Sequence, residues 1–310
     1  MRLGYALAAT AASLWAINAS IASELMDRGL GWAPLSQLRV AGAFVLLVAA
    51  LALVRRDLLR VERAAVPELA VLGVFALAPV QATYFLAIDR LEIGVAVTIQ
   101  YLAPLLVLLW LKLWLRRRIA SGLWYAVALS VAGCALAVQA HEAGSLDALG
   151  AFVALGSAFT FATYMVLSER AGAHHSPFTT LTWGFGFATL AWGIAQPWWL
   201  FPFDELGSPR DALLASGVVV LGTLLPFLAM VAALALIPAP RAGVVATLEP
   251  VLAAVFAWIL VGEALAAVQV LGMALVVSGV VWVQLHRPDL EAEAAPVRAA
   301  HSAPGPAADA

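Results

Sequence analysis

The chain has 310 residues, of which 64% are hydrophobic and 12% charged, with a mean hydropathy of +0.95 and a formal net charge of −2. Soluble domains average about 45–50% apolar and about 25% charged residues, so a water-facing fold of this length is excluded. Basic residues in short clusters and a balanced net charge give no nucleic-acid-binding face, and the lone Cys134 excludes a disulfide framework or a thiolate metal cluster.

The solvent for this chain must be lipid. A bilayer core is about 30 Å thick, so a spanning helix needs about 20 apolar residues. Ten such runs follow one another, near 3–23, 33–54, 67–88, 93–112, 119–139, 148–168, 177–199, 213–236, 241–261 and 265–285. The expectation is an all-α membrane protein of ten transmembrane helices. Glycine and proline inside several runs are compatible with it, because membrane helices tolerate both.

The first run, after Arg2, could be a cleavable signal peptide with a small-residue cleavage site. It is read instead as an uncleaved helix, because it has a counterpart later in the chain. The last run is followed by "RPDLEAEAAPVRAAHSAPGPAADA", an Ala/Pro-rich tail of mixed charge that reads as disordered over 287–310.

Placing the N-terminus in the cytoplasm puts 13 of the 17 Lys and Arg residues on that side, most of them between Arg55 and Arg63 and between Lys112 and Arg118. Only Arg28, Arg90 and Arg210 fall outside, among acidic residues such as Glu24, Asp89 and Asp204. By the positive-inside rule both termini are cytoplasmic.

A repeat lies beneath this pattern. At an offset of 146, Gly4, Ala8, Ala12 and Ala16 fall on Gly150, Ala154, Ala158 and Ala162, and Trp15 falls on Phe161. The same offset carries Pro104 onto Pro250 and "ALSVAG" (128–133) onto "ALVVSG" (274–279). The chain therefore divides into a first repeat, 1–140, and a second, 141–286. Five helices per repeat is an odd number, so the second must insert upside down relative to the first. Inverted-topology repeats are a common architecture of secondary transporters, with the substrate site near the midplane between them. The small residues spaced by four along the first helix also allow close approach of a neighbouring backbone.

Polar residues inside the runs are the candidates for function. Glu249, followed by Pro250, lies eight residues past Arg241, about 12 Å along a helix at 1.5 Å per residue. An ionised residue at that depth costs about 2.5–3.5 kcal/mol on insertion scales, a cost that a bound proton removes. A carboxylate balanced between those two states suits proton coupling. The alternative is a permanently protonated Glu that bonds a neighbouring helix. Arg39 is the one fully embedded cation, either snorkelling toward the outer face or acting as a carboxylate clamp and partner of Glu249. Trp15, Asn18, Gln81, Tyr84, Thr98, Gln100 and Tyr101 in the first half, and Thr163, Tyr164 and Trp183 in the second, complete the polar and aromatic set. Gln81 and Tyr84 are three apart and share a helical face. Pro104 and Pro250 each remove a backbone donor and are expected to bend their helices.

Enzymatic chemistry finds no footing. There is no G-x-S-x-G, H-E-x-x-H or glycine-rich P-loop. The histidines, including the adjacent His174 and His175, lack metal-ligand spacing. No cofactor, no metal and no nucleic-acid partner are expected.

Several stretches belong together: "AIDRLEIGVAVTIQYLAPLLVLLW", "PRAGVVATLEPVLAAVFAWILVGEALAAVQVLGMALVVSGVV", the Arg39 segment "LSQLRVAGAFVLL", the L-x-P of the fourth and ninth helices, and Gly262–Glu263. Through them, over nearly the whole length, the chain resembles the paired EamA-type domains of the drug/metabolite transporter superfamily. "GVAVTIQYLAPL" is similar to the threonine/homoserine exporter branch, with Gln100 near where a Glu more often stands. "LRRR" (115–118) departs from the family's Gly-Glu-Arg. The resemblance implies an inner-membrane exporter of small metabolites working by alternating access, with amino acids the leading substrate class; Glu249 makes protons the expected coupling ion. Arg39 would meet a zwitterion's carboxylate and Glu249 its ammonium. Export of drugs, purines or other organic compounds is the alternative, and a non-transporting scaffold or membrane enzyme a third.

Overall fold

The computed structural model describes residues 2–91, 93–116, 118–139, 147–261 and 266–285. All regular structure among them is helical. Lipid offers no hydrogen bonds, so each spanning backbone must satisfy itself, which favours helices. The first half contributes α1 (Arg2–Asp27), α2 (Trp32–Val54), α3 (Val66–Leu72), α4 (Ala78–Ile88), α5 (Ile93–Gln100), α6 (Ala103–Leu113) and α7 (Ser121–Ala137). The second contributes α8 (Ala148–Gly172), α9 (Pro177–Ala195), α10 (Pro209–Val219), α11 (Leu225–Leu234), α12 (Ala239–Ala246), α13 (Leu248–Val261) and α14 (Ala267–Leu285). Local sequence sets several starts. Asp147 accepts from the Leu149 and Gly150 amides, Ser176 from Thr179 and Ser208 from Asp211, each satisfying donors that a helix N-terminus leaves unpaired.

Among the described residues, eight helical units are long and apolar enough to cross a membrane: 2–27, 32–54, 63–88, 93–113, 148–172, 209–234, 239–256 and 267–285. The fifth expected run forms a helix of only 17 residues, Ser121–Ala137. The seventh, expected over 177–199, is a 19-residue helix, Pro177–Ala195, outside the eight. Its four threonines lower its apolarity, and Trp198–Leu200 turns away as a short 3-10 segment after Pro197. Arg241, expected at the cytoplasmic rim, is buried within α12. The 287–310 tail and the Gly262–Glu263 motif lie outside the described residues.

Four of the expected runs are interrupted, and a proline accompanies each interruption. The fourth stops at Gln100 and restarts at Ala103, because Pro104 has no N–H to give the Gln100 carbonyl. The ninth breaks at Thr247, between α12 and α13, where Pro250 withdraws a donor from Ala246 in the same way. The third and eighth runs widen into π turns, Gly73–Leu77 between α3 and α4 and Val220–Leu224 between α10 and α11. Each is followed by a proline at the second position of the next helix, Pro79 or Pro226. A proline ring clashes with the carbonyl four residues back, and a wider turn relieves that clash.

The most extensive pairings join the two halves: α7 with α14, α1 with α11, α4 with α8, and α2 with α9. α1 also lies against α12 and α13, and α8 against α5 and α6. Exchanging the halves leaves this list of pairings unchanged. At the α7–α14 crossing the backbones nearly touch: a Cβ placed on Gly133 would lie 2.7 Å from the Gly272 carbonyl oxygen. Ion pairs tie α1 to the start of α10, Arg28 with Asp211 and Arg210 with Glu24 at 2.5 Å. At the other end Arg170 of α8 meets Glu68 of α3 at 3.0 Å.

Candidate substrate cavity

A cavity of about 50 Å³ lies where the interrupted helices meet. α1 supplies Trp15 and Asn18, α2 supplies Arg39, and α4 supplies Val80, Gln81 and Tyr84. Gln100 and Tyr101 come from the break before α6, Phe161 from α8, Phe227 from α11 and Glu249 from the first turn of α13. Ligand pockets typically enclose about 300–1,000 Å³. This one has room for a few waters, so an organic solute requires the helices to part.

Glu249 stands directly after one helix break and Tyr101 within the other. The Tyr101 hydroxyl donates to Glu249 Oε2 at 2.6 Å, across the two halves. This is a charge-assisted geometry when the carboxyl is ionised. Arg39 is 3% exposed, so it does not snorkel. Its Nη2 donates to the Gly222 carbonyl at 2.6 Å, and its guanidinium carbon sits 4.8 Å from the centroid of the Phe85 ring. Among the described residues Arg39 and Glu249 form no ion pair with each other, although both line the cavity.

Among the described residues, three buried polar atoms around the cavity have no protein partner: Asn18 Oδ1, Gln81 Nε2 and Arg39 Nε. An unsatisfied buried donor or acceptor costs about 1–3 kcal/mol, so such atoms mark places where water or a ligand completes the bonding. Two are donors and one is an acceptor, a mixed set that suits a solute bearing both kinds of group. Trp15 packs edge-on against Phe161 and Phe227, with ring centroids 5.9 and 5.5 Å away, and these rings form an apolar wall.

Trp15, Asn18, Arg39, Gln81, Tyr84, Gln100, Tyr101 and Glu249 are thus brought together. Thr98, Tyr164 and Trp183 are not. Thr98 bonds back to the Gly94 carbonyl at 2.9 Å, and Trp183 donates to Leu59 O at 3.2 Å, toward the α2–α3 connection. Tyr164 stacks behind Phe161 with its hydroxyl buried. Thr163, also considered from sequence, is half-buried and bonds Phe159 O. Val80, Phe161 and Phe227 line the cavity and escaped sequence reasoning. The 146-residue offset that sets Phe161 opposite Trp15 is a signal for one of them. The prolines 79 and 226, each next to a lining residue, are a signal for the others. Among the described residues no cluster of His, Cys, Asp and Glu could hold a metal ion.

Comparison with known proteins gives this arrangement relatives. The threonine/homoserine exporter RhtA of Salmonella typhimurium is 28% identical over 203 residues, covering 63% of each chain. The match thus spans less than two thirds of that relative's length. An inner membrane transporter of the same organism, YicL, is 25% identical over 221 residues, covering 70% of this chain and 73% of YicL. A solved crystal structure shares the fold, with a TM-score of 0.75 at 19% identity over 93% of this chain and 98% of the other. A family model described as the EamA-like transporter family matches twice, over residues 2–139 and 148–285. With eight apolar helices among the described residues and that duplicated match, the chain is a multi-pass inner-membrane protein belonging to the EamA-like transporter family, within the drug/metabolite transporter superfamily.

Proposed function

We propose that this protein exports small zwitterionic metabolites, amino acids first among them, by alternating access coupled to the proton gradient. In this reading ten helical units span the membrane as two inverted repeats with both termini in the cytoplasm. The observation that carries it is one cavity lined by a cation, Arg39, and a carboxylate, Glu249, from different halves, with no ion pair between them among the described residues. A zwitterion completes both. Its carboxylate accepts from Arg39 Nε and Gln81 Nε2, the two orphan donors, and its ammonium donates to Glu249 and to Asn18 Oδ1. The relative RhtA, named as a threonine/homoserine exporter, points to the same solute class. Glu249 would exchange a proton for the substrate's ammonium, with the Tyr101 hydroxyl bonding the ionised form.

A second reading rests on the aromatic wall of Trp15, Phe161 and Phe227, which suits a flat organic solute such as a purine. Purified protein in liposomes, with an imposed pH gradient and sided insertion, separates the two. Labelled threonine, homoserine and a purine base are offered to wild type and Glu249→Gln. Gradient-driven movement of an amino acid by wild type, with exchange alone surviving in the variant, supports the first reading. Movement of the purine alone supports the second. Equal gradient-driven transport by both proteins would remove Glu249 from the coupling step.

A further inference from the structure

Arg39 is useful to a substrate only if its guanidinium is held at a fixed place, and the structure shows what holds it. The partner is the carbonyl of Gly222, inside the π turn Val220–Leu224. That carbonyl cannot take the α-helical bond from four positions on, because Pro226 has no N–H. The π turn is itself tied down: the Thr223 hydroxyl donates to Val218 O at 3.0 Å, within a buried environment. Gly222 also has a second neighbour. A Cβ at 222 would overlap the carboxamide of Asn18, whose Oδ1 is among the orphan atoms of the cavity.

One residue therefore touches two of the cavity's polar groups by two separate means, a carbonyl for Arg39 and an absent side chain for Asn18. We infer that Gly222, presented by the π turn and freed by Pro226, is a positioning residue that fixes Arg39 and Asn18 relative to each other for substrate. The inference rests on the transport reading above. π turns inside helices are frequent at functional sites, and here the interruption offers Arg39 a carbonyl that an uninterrupted α-helix would keep for itself. In the equivalent turn of the first half, Gly73–Leu77, the residue four before Pro79 is Phe75, a large side chain turned outward, where the second half has Gly222. The glycine that makes room for Asn18 thus occurs in one half.

The test is a double-mutant cycle on Gly222→Ala and Asn18→Ala, read as threonine uptake into proteoliposomes, with melting and yield measured for every variant. A methyl at 222 must displace the Asn18 carboxamide, so Gly222→Ala alone raises the apparent KM at least about tenfold, the scale of one misplaced hydrogen bond. Asn18→Ala makes room for that methyl. The double variant then matches Asn18→Ala rather than the product of the two single effects, as expected for residues in contact. Independent, multiplicative effects would overturn the inference, and so would an unchanged KM in a folded Gly222→Ala protein. A Gly222→Ala variant that fails to fold alone is replaced by the comparison of the double variant with Asn18→Ala, where a tenfold gap in KM would equally overturn it. Absence of solute transport by wild type would overturn the transport reading itself, and this inference with it.

Discussion

The Tyr101 hydroxyl and the Glu249 carboxylate meet at 2.6 Å between two helices that are each broken beside a proline. Tyr101→Phe keeps the ring and deletes the donor. A hydrogen bond to a charged group contributes about 1.5–3 kcal/mol, or about 10- to 100-fold. Gradient-driven uptake by Tyr101→Phe is expected to fall at least about tenfold while substrate exchange persists. An unaltered uptake rate in proteoliposomes would show that the bond is dispensable to coupling.

Arg39 combines a hydrogen bond to Gly222 O with a position 4.8 Å from the Phe85 ring centroid. Lysine carries the same charge but lacks the planar fork that does both. Arg39→Lys is expected to raise the apparent KM about tenfold, and Arg39→Met to abolish uptake. Competition assays with an uncharged analogue of the substrate read the difference, since that analogue should lose little.

Pro226→Ala restores an N–H that can claim the Gly222 carbonyl. The helix gains a bond and Arg39 loses its partner, so the variant should melt higher and transport worse. Stability and activity moving in the same direction would contradict the assignment. Thermal melting in detergent and uptake rate are measured on one preparation.

Gly272 of α14 sits against α7 so closely that a Cβ there would lie 2.6 Å from the Gly133 carbonyl oxygen. No side chain end can swing away from a backbone atom. Gly272→Val should cost about 1–3 kcal/mol through overpacking and lower the melting temperature. Gly207→Ala serves as a comparison in a surface turn, and similar losses at both sites would remove the close crossing as the cause.

The ion pairs between α1 and α10 differ in setting. Arg210 and Glu24 are largely solvated, with side chains 68% and 36% exposed, and exposed pairs contribute at most about 1 kcal/mol. Asp211, 11% exposed, accepts from both Arg28 and the Ser208 hydroxyl at the start of α10. Asp211→Asn is therefore expected to lower the melting temperature more than Glu24→Gln. Melting curves at low and high salt check this, with the Glu24 effect vanishing in salt.

How far the sequence alone points to the cavity depends on the kind of residue. Glu249, Arg39 and Gln81 announce themselves, because a polar group in an apolar run has to be explained by what surrounds it. Phe161 and Phe227 do not, since an aromatic ring in an apolar helix looks the same facing lipid or a cavity. Trp183 misled for the same reason in reverse: its indole nitrogen serves the α2–α3 connection, and nothing in the local pattern tells one buried partner from another. Prolines 104 and 250 pointed to bends, and the breaks beside them follow from the missing N–H. The π turns were harder to foresee. Hydropathy records which residues are apolar, whereas a π turn is a property of the hydrogen-bond ladder, hinted at only by Pro79 and Pro226.

The exchange-symmetric pairing of helices bears on how the protein is made. Each of the most extensive pairings takes one helix from either side of the 140s. When synthesis has passed only α7, the strongest partners of α1, α2, α4 and α7 do not yet exist. The emerging first half must wait in the bilayer with its polar residues, Arg39 among them, unsheltered by their eventual neighbours. Assembly of the cavity is thus a late event in biogenesis. Separately expressed halves should be degraded when made singly and rescued when made together.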